Sequence, residues 1–127
     1  MVLDHQGIES TDIDADVAFL VGTAGMTLIR WGVHALTGRR IAMLHDGAAA
    51  KLELIEVDVA AGEFAHTAFA VDDLDAAHAR AIADGAVELR APFRIEAARA
   101  TSGMLRAAGG SVLQLIRYDP DSPDLVR

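Results

Sequence analysis

The sequence contains no cysteine among its 127 residues. Disulfide bonds and thiolate metal sites are therefore excluded, and a bound metal would need His, Asp, Glu, Gln or water as ligands. Aromatic residues make up 5% of the chain, with a single tryptophan, and proline occurs three times. Long apolar runs are missing as well. The longest stretch, Val17 to Met26, is too short to span a bilayer and is interrupted by Gly and Thr.

Positive charge is in short supply, because 11 Lys and Arg stand against 19 Asp and Glu, which gives a net charge of −8. Nucleic acid and anionic membrane surfaces require a basic face, so neither is an expected partner. The N-terminus lacks the basic-then-apolar pattern of a signal peptide. We therefore expect a cytoplasmic protein. A hydrophobic fraction of 52% is ample for a single domain over residues 1–127.

The chain contains two copies of one sequence pattern. His5 aligns with His66, a spacing of 61 residues (66 − 5), and matches at the beginning, middle and end of the pattern keep that spacing without a gap. Two copies indicate a duplicated unit and not a many-repeat solenoid. The further matches are Asp12 with Asp73, Asp14 with Asp75, Met43-Leu44 with Met104-Leu105, and Leu52-Glu53-Leu54-Ile55 with Leu113-Gln114-Leu115-Ile116.

Each copy predicts a βαβββ module, and the fold class is α+β with curved mixed sheets that form an open cleft. Module 1 covers about 1–60 and module 2 about 61–119, followed by a frayed tail over 120–127. A loop is expected from Arg90 to Thr101, and His78 is expected to be half-exposed on its helix. The predicted strands are 2–10, 26–31, 40–45 and 51–58, then 64–71, 86–90, 102–107 and 111–118, with helices starting near Asp12 or Asp14 and over 73–83.

Four polar side chains occupy matching places in the two copies: His5 and His66 in the first strands, Glu53 and Gln114 in the last. Residues alternate faces along a strand, so Leu52 and Leu54 would pack on the helix and leave Glu53 on the open face. Two imidazoles, a carboxylate and an amide oxygen can hold a divalent metal such as Zn, Ni, Co, Mn or Fe. Each residue alone also fits an ordinary hydrogen-bonded role in a sheet.

Several residues are candidates for contact with a substrate. Glu53 is a candidate catalytic base, which would have to dissociate from the metal in order to accept a proton. Glu9 is a second candidate because it shares a strand face with His5. Guanidinium groups pair with carboxylate or phosphate, which suggests an anion-binding role for the arginine-bearing loop, although loop arginines also form solvated ion pairs. The candidate substrate-binding residues are Trp31 as a stacking surface, His45 as pocket wall, and Arg94 and Arg99.

The chain resembles the vicinal-oxygen-chelate superfamily, which includes glyoxalases, bleomycin-resistance proteins and dioxygenases. The segments "LDHQGIESTDID" and "AGMTLIR" resemble the first strand and the segment after the first helix of glyoxalase I. The segments "AAKLELIE", "FAHTAFAVDDLDAA" and "GSVLQLIRY" resemble the later metal-bearing strands. The resemblance reaches about residue 118. It implies that His5, Glu53, His66 and Gln114 occupy the places of metal ligands.

One departure from the family pattern concerns the last strand, where Gln114 stands in place of a glutamate and removes a charge and a candidate base. The family's Asp-Pro-Asp-Gly turn is replaced by Ala107-Ala108-Gly109-Gly110. The resemblance implies a metal-dependent isomerase, epimerase or lyase that acts on a small oxygen-chelating substrate. The alternative is a metal-free protein that sequesters small molecules such as antibiotics. A homodimer is expected in either case, with the site inside one chain or shared by two.

Overall fold

A computed structural model describes residues 1–125 of the chain. Eight strands and two helices follow one another in the order that the repeat predicts. The elements are β1 (Val2–Ser10), α1 (Ile13–Gly22), β2 (Thr27–Val33), β3 (Arg40–His45), β4 (Lys51–Glu56), β5 (His66–Ala70), α2 (Leu74–Ala83), β6 (Val87–Ile95), β7 (Ala100–Arg106) and β8 (Val112–Tyr118).

The described residues form two compact units. The first unit is His5–Ala65, and the second unit is His66–Leu125 together with Met1–Asp4. The start of β1 belongs with the second unit because the Tyr118 hydroxyl donates a hydrogen bond to the Asp4 carboxylate. The division lies a few residues after the predicted module boundary at residue 60.

Both units have the same topology. In the first, the strand order is β2-β3-β4-β1, and in the second it is β6-β7-β8-β5. The first and last strands of each unit pair in parallel, and the other neighbours are antiparallel. The predicted α+β fold with two mixed-sheet βαβββ modules is thus confirmed.

The helices begin at equivalent aspartates. The Asp12 and Asp73 side chains accept hydrogen bonds from the backbone N–H of Ala15 and Ala76, both at 3.1 Å, as expected of N-caps. Each helix then packs on one face of its own sheet. No helix within residues 1–125 is long and apolar enough to cross a membrane. The packed residues are Ile13, Val17, Ala42, Leu44 and Leu54 in the first unit, and Leu74, Leu105 and Leu115 in the second.

The prediction of a loop over Arg90–Thr101 was wrong. Strand β6 continues to Ile95, and its bulges fall between Glu88 and Arg90 and between Arg90 and Phe93. These irregularities accommodate Pro92, which has no N–H to donate to a regular ladder. Only a short turn then separates β6 from β7.

The prediction that His78 is half-exposed was also wrong, because its side chain is 4% exposed. The ring occupies space left by Gly103 on β7, where an added Cβ would lie 2.5 Å from the His78 Nδ1. The Nε2 atom lies 2.9 Å from a Glu88 carboxylate oxygen.

The tail that the sequence predicted to be frayed is packed as far as the described residues reach. Ser122 and Asp124 are buried, and the Ser122 hydroxyl donates to the carbonyl of Ala98. The backbone N–H of Asp119 donates to the carbonyl of Arg99. Hydrogen bonds to the turn between β6 and β7 therefore order this segment despite its two prolines. Residues 126–127 lie outside the described residues.

Candidate functional site

The first unit places His5 and Glu53 on the same face of its sheet. Gly7 of β1 pairs directly with Glu53 of β4, and His5 lies two residues before Gly7 on the same strand. Since side chains alternate along a strand, all three point to one side. Leu54, the next residue along, packs against helix α1 on the other side. His5 and Glu53, the first polar pair, therefore face away from the helix, as the sequence predicts.

The second unit repeats this arrangement. Ala68 of β5 pairs with Gln114 of β8, and His66 lies two residues before Ala68. Leu115 packs toward helix α2 on the opposite face. His66 and Gln114, the second polar pair, thus have the same position in their sheet as the first pair.

The ligand atoms of the first polar pair lie close together, because one atom of His5 and one of Glu53 are within 4.8 Å of each other. His5 is 3% exposed and His66 is 9% exposed.

Gln114 is buried and has an unused oxygen. Its Nε2 donates a hydrogen bond of 2.8 Å to the Ser102 hydroxyl. Its Oε1 is buried and has no hydrogen-bond partner within the described part of the chain. A buried polar atom without a partner is costly unless something else satisfies it. A cation is suitable for this oxygen, and two imidazoles with a carboxylate are ligands that divalent transition metals prefer.

Glu9, the second candidate base, is already bound to the backbone. Its two carboxylate oxygens accept hydrogen bonds from the N–H of Gly62 at 2.6 Å and of Phe64 at 2.8 Å. The side chain thereby fixes the segment after β4. The roles of Glu9 and Glu53 as bases stay predictions.

Trp31 does not share the face of the first polar pair. It pairs with Ala42, which packs against helix α1, and the Arg40 guanidinium lies 5.4 Å from its ring centre. The cause is a bulge between Leu28 and Arg30, which reverses the alternation of the residues beyond it. A stacking role for Trp31 beside the polar pair is therefore not supported by its place in the sheet.

His45 lies on the same face as Glu53, at the end of β3, and its Nδ1 accepts a hydrogen bond of 3.1 Å from the Gly47 N–H. The side chain thus helps to form the turn that leads to β4. Its role as a substrate contact stays a prediction.

Arg94 and Arg99 form ion pairs within the second unit. Arg94 lies 2.7 Å from Asp119, and Arg99 lies 2.5 Å from Asp121. The hydrogen bond from Arg94 lowers the pKa of the Asp119 carboxyl. Both arginines therefore help to hold the segment after β8, and their role as substrate contacts stays a prediction.

Sequence reasoning missed Ser102, the partner of Gln114. Ser102 is fully buried on β7, and it corresponds at the spacing of 61 residues to Ile41 in the first unit. A serine in the place of an apolar residue of the other copy is the signal that could have revealed it. The polar substitution beside a polar ligand position indicates a hydrogen bond.

No known family model matches the sequence, and no curated protein matches it. Solved structures do match. A variant of the methylmalonyl-CoA epimerase of Streptomyces coelicolor, in complex with 2-nitronate-propionyl-CoA, aligns with a TM-score of 0.79 and 26% identity over 96% of this chain and 97% of its own. A methylmalonyl-CoA epimerase in complex with methylmalonyl-CoA and NH4+ gives 0.79 and 27% over 95% and 96%.

The methylmalonyl-CoA epimerase of Mycobacterium tuberculosis gives a TM-score of 0.79 and 25% identity over 94% of this chain and 89% of its own. The match extends over almost the full length of each protein. The chain therefore has the fold of these epimerases, including both βαβββ modules.

Proposed function

We propose that this chain, which has the vicinal-oxygen-chelate fold of its epimerase neighbours, is a metal-dependent enzyme of the isomerase type. Its substrate would be a small acyl compound with two neighbouring oxygens. The observation that carries the proposal is the pair of ligand atoms from His5 and Glu53, which lie within 4.8 Å of each other in the first unit. The buried, unpartnered Oε1 of Gln114 supports it.

In this proposal the two polar pairs together hold one divalent ion. Neutral imidazoles from His5 and His66, the Glu53 carboxylate and the Gln114 amide would leave a charge of +1 on the centre, since Glu53 supplies the only negative charge. Such an ion, when bound, polarises a substrate carbonyl and makes the neighbouring C–H bond more acidic.

Glu53 is the side chain that we expect to move the proton. In the part of the chain that the structure describes, Glu9 and Glu53 are the carboxylates on the two strand faces that carry the polar pairs. The backbone amides of Gly62 and Phe64 engage Glu9. We assign Glu53 the roles of ligand and base, because a carboxylate beside the ion can accept the proton from carbon and return one to it.

A single carboxylate base has a chemical consequence. With Glu53 as the one base, the α-proton moves to its carboxylate, exchanges there with water and returns to the same side of the carbon, whereas inversion requires water to supply the proton on the opposite side. We therefore expect exchange of the substrate α-proton with solvent to be faster than inversion. This behaviour separates the chain from an epimerase with two well-placed bases.

The substrate class follows from the neighbours. Two of them were solved with CoA compounds, 2-nitronate-propionyl-CoA and methylmalonyl-CoA, and methylmalonyl-CoA carries an acidic α-proton beside its thioester carbonyl. Methylmalonyl-CoA adds a carboxylate next to that carbon and so offers two oxygens for chelation. It is the first compound to test, and simpler carboxyacyl thioesters are the second.

The test combines metal content with proton exchange. Protein purified without chelator would be analysed for metal, and then incubated with methylmalonyl-CoA in D2O with added Co²⁺ or Mn²⁺. We expect close to one metal per chain and deuterium at the α-carbon. Glu53→Gln should lower the exchange rate by about 100-fold or more, since it removes the base and the only negative ligand.

Glu56→Gln is the matched control, because Glu56 lies on the same strand as Glu53 but on the other face. It should leave metal content and exchange unchanged. Negligible metal in the parent and in both variants, with no exchange of any thioester tested, would overturn the proposal. Binding of a small apolar ligand without metal would then favour the sequestering function.

A further inference from the structure

We infer that Ser102 is a positioning residue that lets Gln114 present its amide oxygen, and not its nitrogen, to the metal. This inference deepens the proposed function and depends on it. The side chain of Ser102 would not touch the ion or the substrate. It would act through Gln114.

The hydrogen bond between these two residues is enclosed. Ser102 is completely buried, and Gln114 is 6% exposed. Ser102 precedes Met104 by two residues on β7, and Met104 pairs directly with Gln114. Ser102 and Gln114 therefore point to the same face, and the 2.8 Å bond from Nε2 to the hydroxyl joins neighbouring strands.

The chemistry of an amide explains why such a partner is needed. The oxygen and the NH2 group of glutamine are similar in size, but only the oxygen can bind a cation, because the nitrogen carries two protons and no available lone pair. When Oε1 turns to a metal, the NH2 group is forced into the buried strand interface and needs an acceptor there. Ser102 supplies that acceptor, and its absence would leave a buried donor unsatisfied.

The first unit shows the complementary case. The residue equivalent to Ser102 is Ile41, which cannot form a hydrogen bond, and the ligand equivalent to Gln114 is Glu53. A carboxylate has two oxygens and no donor, so either orientation presents an oxygen and nothing needs an acceptor. The serine therefore occurs in the unit whose ligand is an amide. The hydrophobic residue occurs in the unit whose ligand is a carboxylate.

The experiment measures metal affinity and the state of the Gln114 amide separately. Co²⁺ would be titrated into metal-free protein and followed by its visible absorption, for the parent, Ser102→Ala and Ser10→Ala. Ser10 is the matched control, because it is also a buried strand serine with a hydrogen bond, to Asp16, but it belongs to the opposite face of β1. We expect Ser102→Ala to weaken Co²⁺ binding roughly tenfold and Ser10→Ala to leave it unchanged.

The side-chain NH2 signals of Gln114 in ¹⁵N-labelled, metal-free protein provide the second measurement. In the parent we expect them to exchange slowly with solvent, and in Ser102→Ala to exchange faster and change chemical shift. Ser102→Thr, which keeps the hydroxyl, should retain most of the protection and of the affinity.

The outcomes separate the two proposals. A parent that binds Co²⁺, with Ser102→Ala equal to it in affinity, would overturn the positioning role and leave the proposed function intact. Equal losses of affinity in Ser102→Ala and Ser10→Ala would also overturn it, because general destabilisation would then account for both. A parent that binds no Co²⁺ would overturn the proposed function. In that case protected Gln114 NH2 signals that are lost in Ser102→Ala would still support the hydrogen bond as the device that orients the amide.

Discussion

The two units pack helix against sheet with different side chains at the same two positions. In the first unit Val17 on α1 lies in the core cluster that contains Ala42 of β3. In the second, His78 on α2 contacts Gly103 of β7, the residue equivalent to Ala42. A larger helix residue is thus matched by a smaller strand residue. The backbone repeat tolerates the exchange because the combined volume is nearly conserved.

The polar faces of the two units differ in charge. The first carries a carboxylate, Glu53, and the second carries an amide, Gln114, at the equivalent place. The neighbouring residues differ accordingly. Ile41 lies near Glu53, which needs no hydrogen-bond acceptor, and Ser102 accepts the hydrogen bond from Gln114.

Changing the charge of Glu53 or of Gln114 should have the largest effect, which we expect on metal affinity. Glu53→Gln removes the only negative ligand, and we expect Co²⁺ affinity to fall by about 100-fold, since a neutral amide oxygen is a weaker donor to a cation than a carboxylate. Gln114→Glu makes the two units alike, and should raise the affinity about tenfold. Titration of the metal-free proteins with Co²⁺ measures both.

In Gln114→Glu the rate of deuterium exchange should not rise with the metal affinity. In Gln114→Glu the centre becomes neutral, so a bound carbonyl is polarised less and the α-proton is less acidic. We expect tighter metal binding with unchanged or slower deuterium exchange. Tighter binding together with a large rise in exchange would contradict the assignment of Glu53 as the base, because the new carboxylate would then be the better one.

The spacing of 61 residues was sufficient to predict the modules, the helix caps and both polar pairs. Each of these depends on local alternation and on repeated residues, both of which can be read along the chain. The errors depend on contacts that are remote in sequence. His78 is buried because a residue on β7 lacks a side chain.

Trp31 illustrates a different limit. A regular strand from Thr27 would place Trp31 on the same face as Thr27. The bulge before Arg30 moves Trp31 to the helix side, and no Gly or Pro in that stretch marks the bulge. Strand parity beyond an irregularity is therefore the part of the site that sequence patterns predict least well.

Replacing Gly103 should have the next largest effect, on the free energy of unfolding. Gly103→Ala places a Cβ 2.5 Å from the His78 ring nitrogen, so the ring or the strand must move. We expect the free energy of unfolding to fall by about 2 kcal/mol, which is typical of overpacking a core. Urea unfolding followed by circular dichroism measures it. Gly109→Ala is the control, because a Cβ there would meet nothing within 4 Å.

Placing the core residues of the first unit at the equivalent positions of the second tests whether His78 and Gly103 are coupled. The double variant His78→Val and Gly103→Ala restores the Val and Ala combination that Val17 and Ala42 form. We expect it to be more stable than the sum of the single variants predicts, because the two positions share one volume. Strict additivity of the two effects would contradict direct coupling through the ring.

The smallest expected effect concerns charges on the surface. In the first unit Arg40 joins Asp14 at 2.9 Å and Glu56 at 3.0 Å, whereas the equivalent residues of the second unit are Thr101, Asp75 and Arg117. Hydrogen bonds from Arg40 hold the pKa of both carboxyls below their ordinary values of 3.8 for Asp14 and 4.5 for Glu56. Because the folded pKa values are lowered, the ion pairs stabilise the fold above these ordinary values and lose that contribution as the pH falls through the lowered ones.

Arg40→Gln should therefore be slightly less stable than the parent near neutral pH, and the difference should shrink as the pH falls below the ordinary pKa of the two carboxyls. The groups are exposed, so the difference should also shrink in high salt. Urea unfolding near pH 7 and at about pH 3, with and without added salt, measures it. Arg117→Gln removes an arginine of the second unit, at the position equivalent to Glu56, and should not reproduce the pattern. A stability difference for Arg40→Gln that is the same at both pH values would assign it to the contact of Arg40 with Trp31 instead of the ion pairs, because stacking on an indole does not depend on the charge of Asp14 or Glu56.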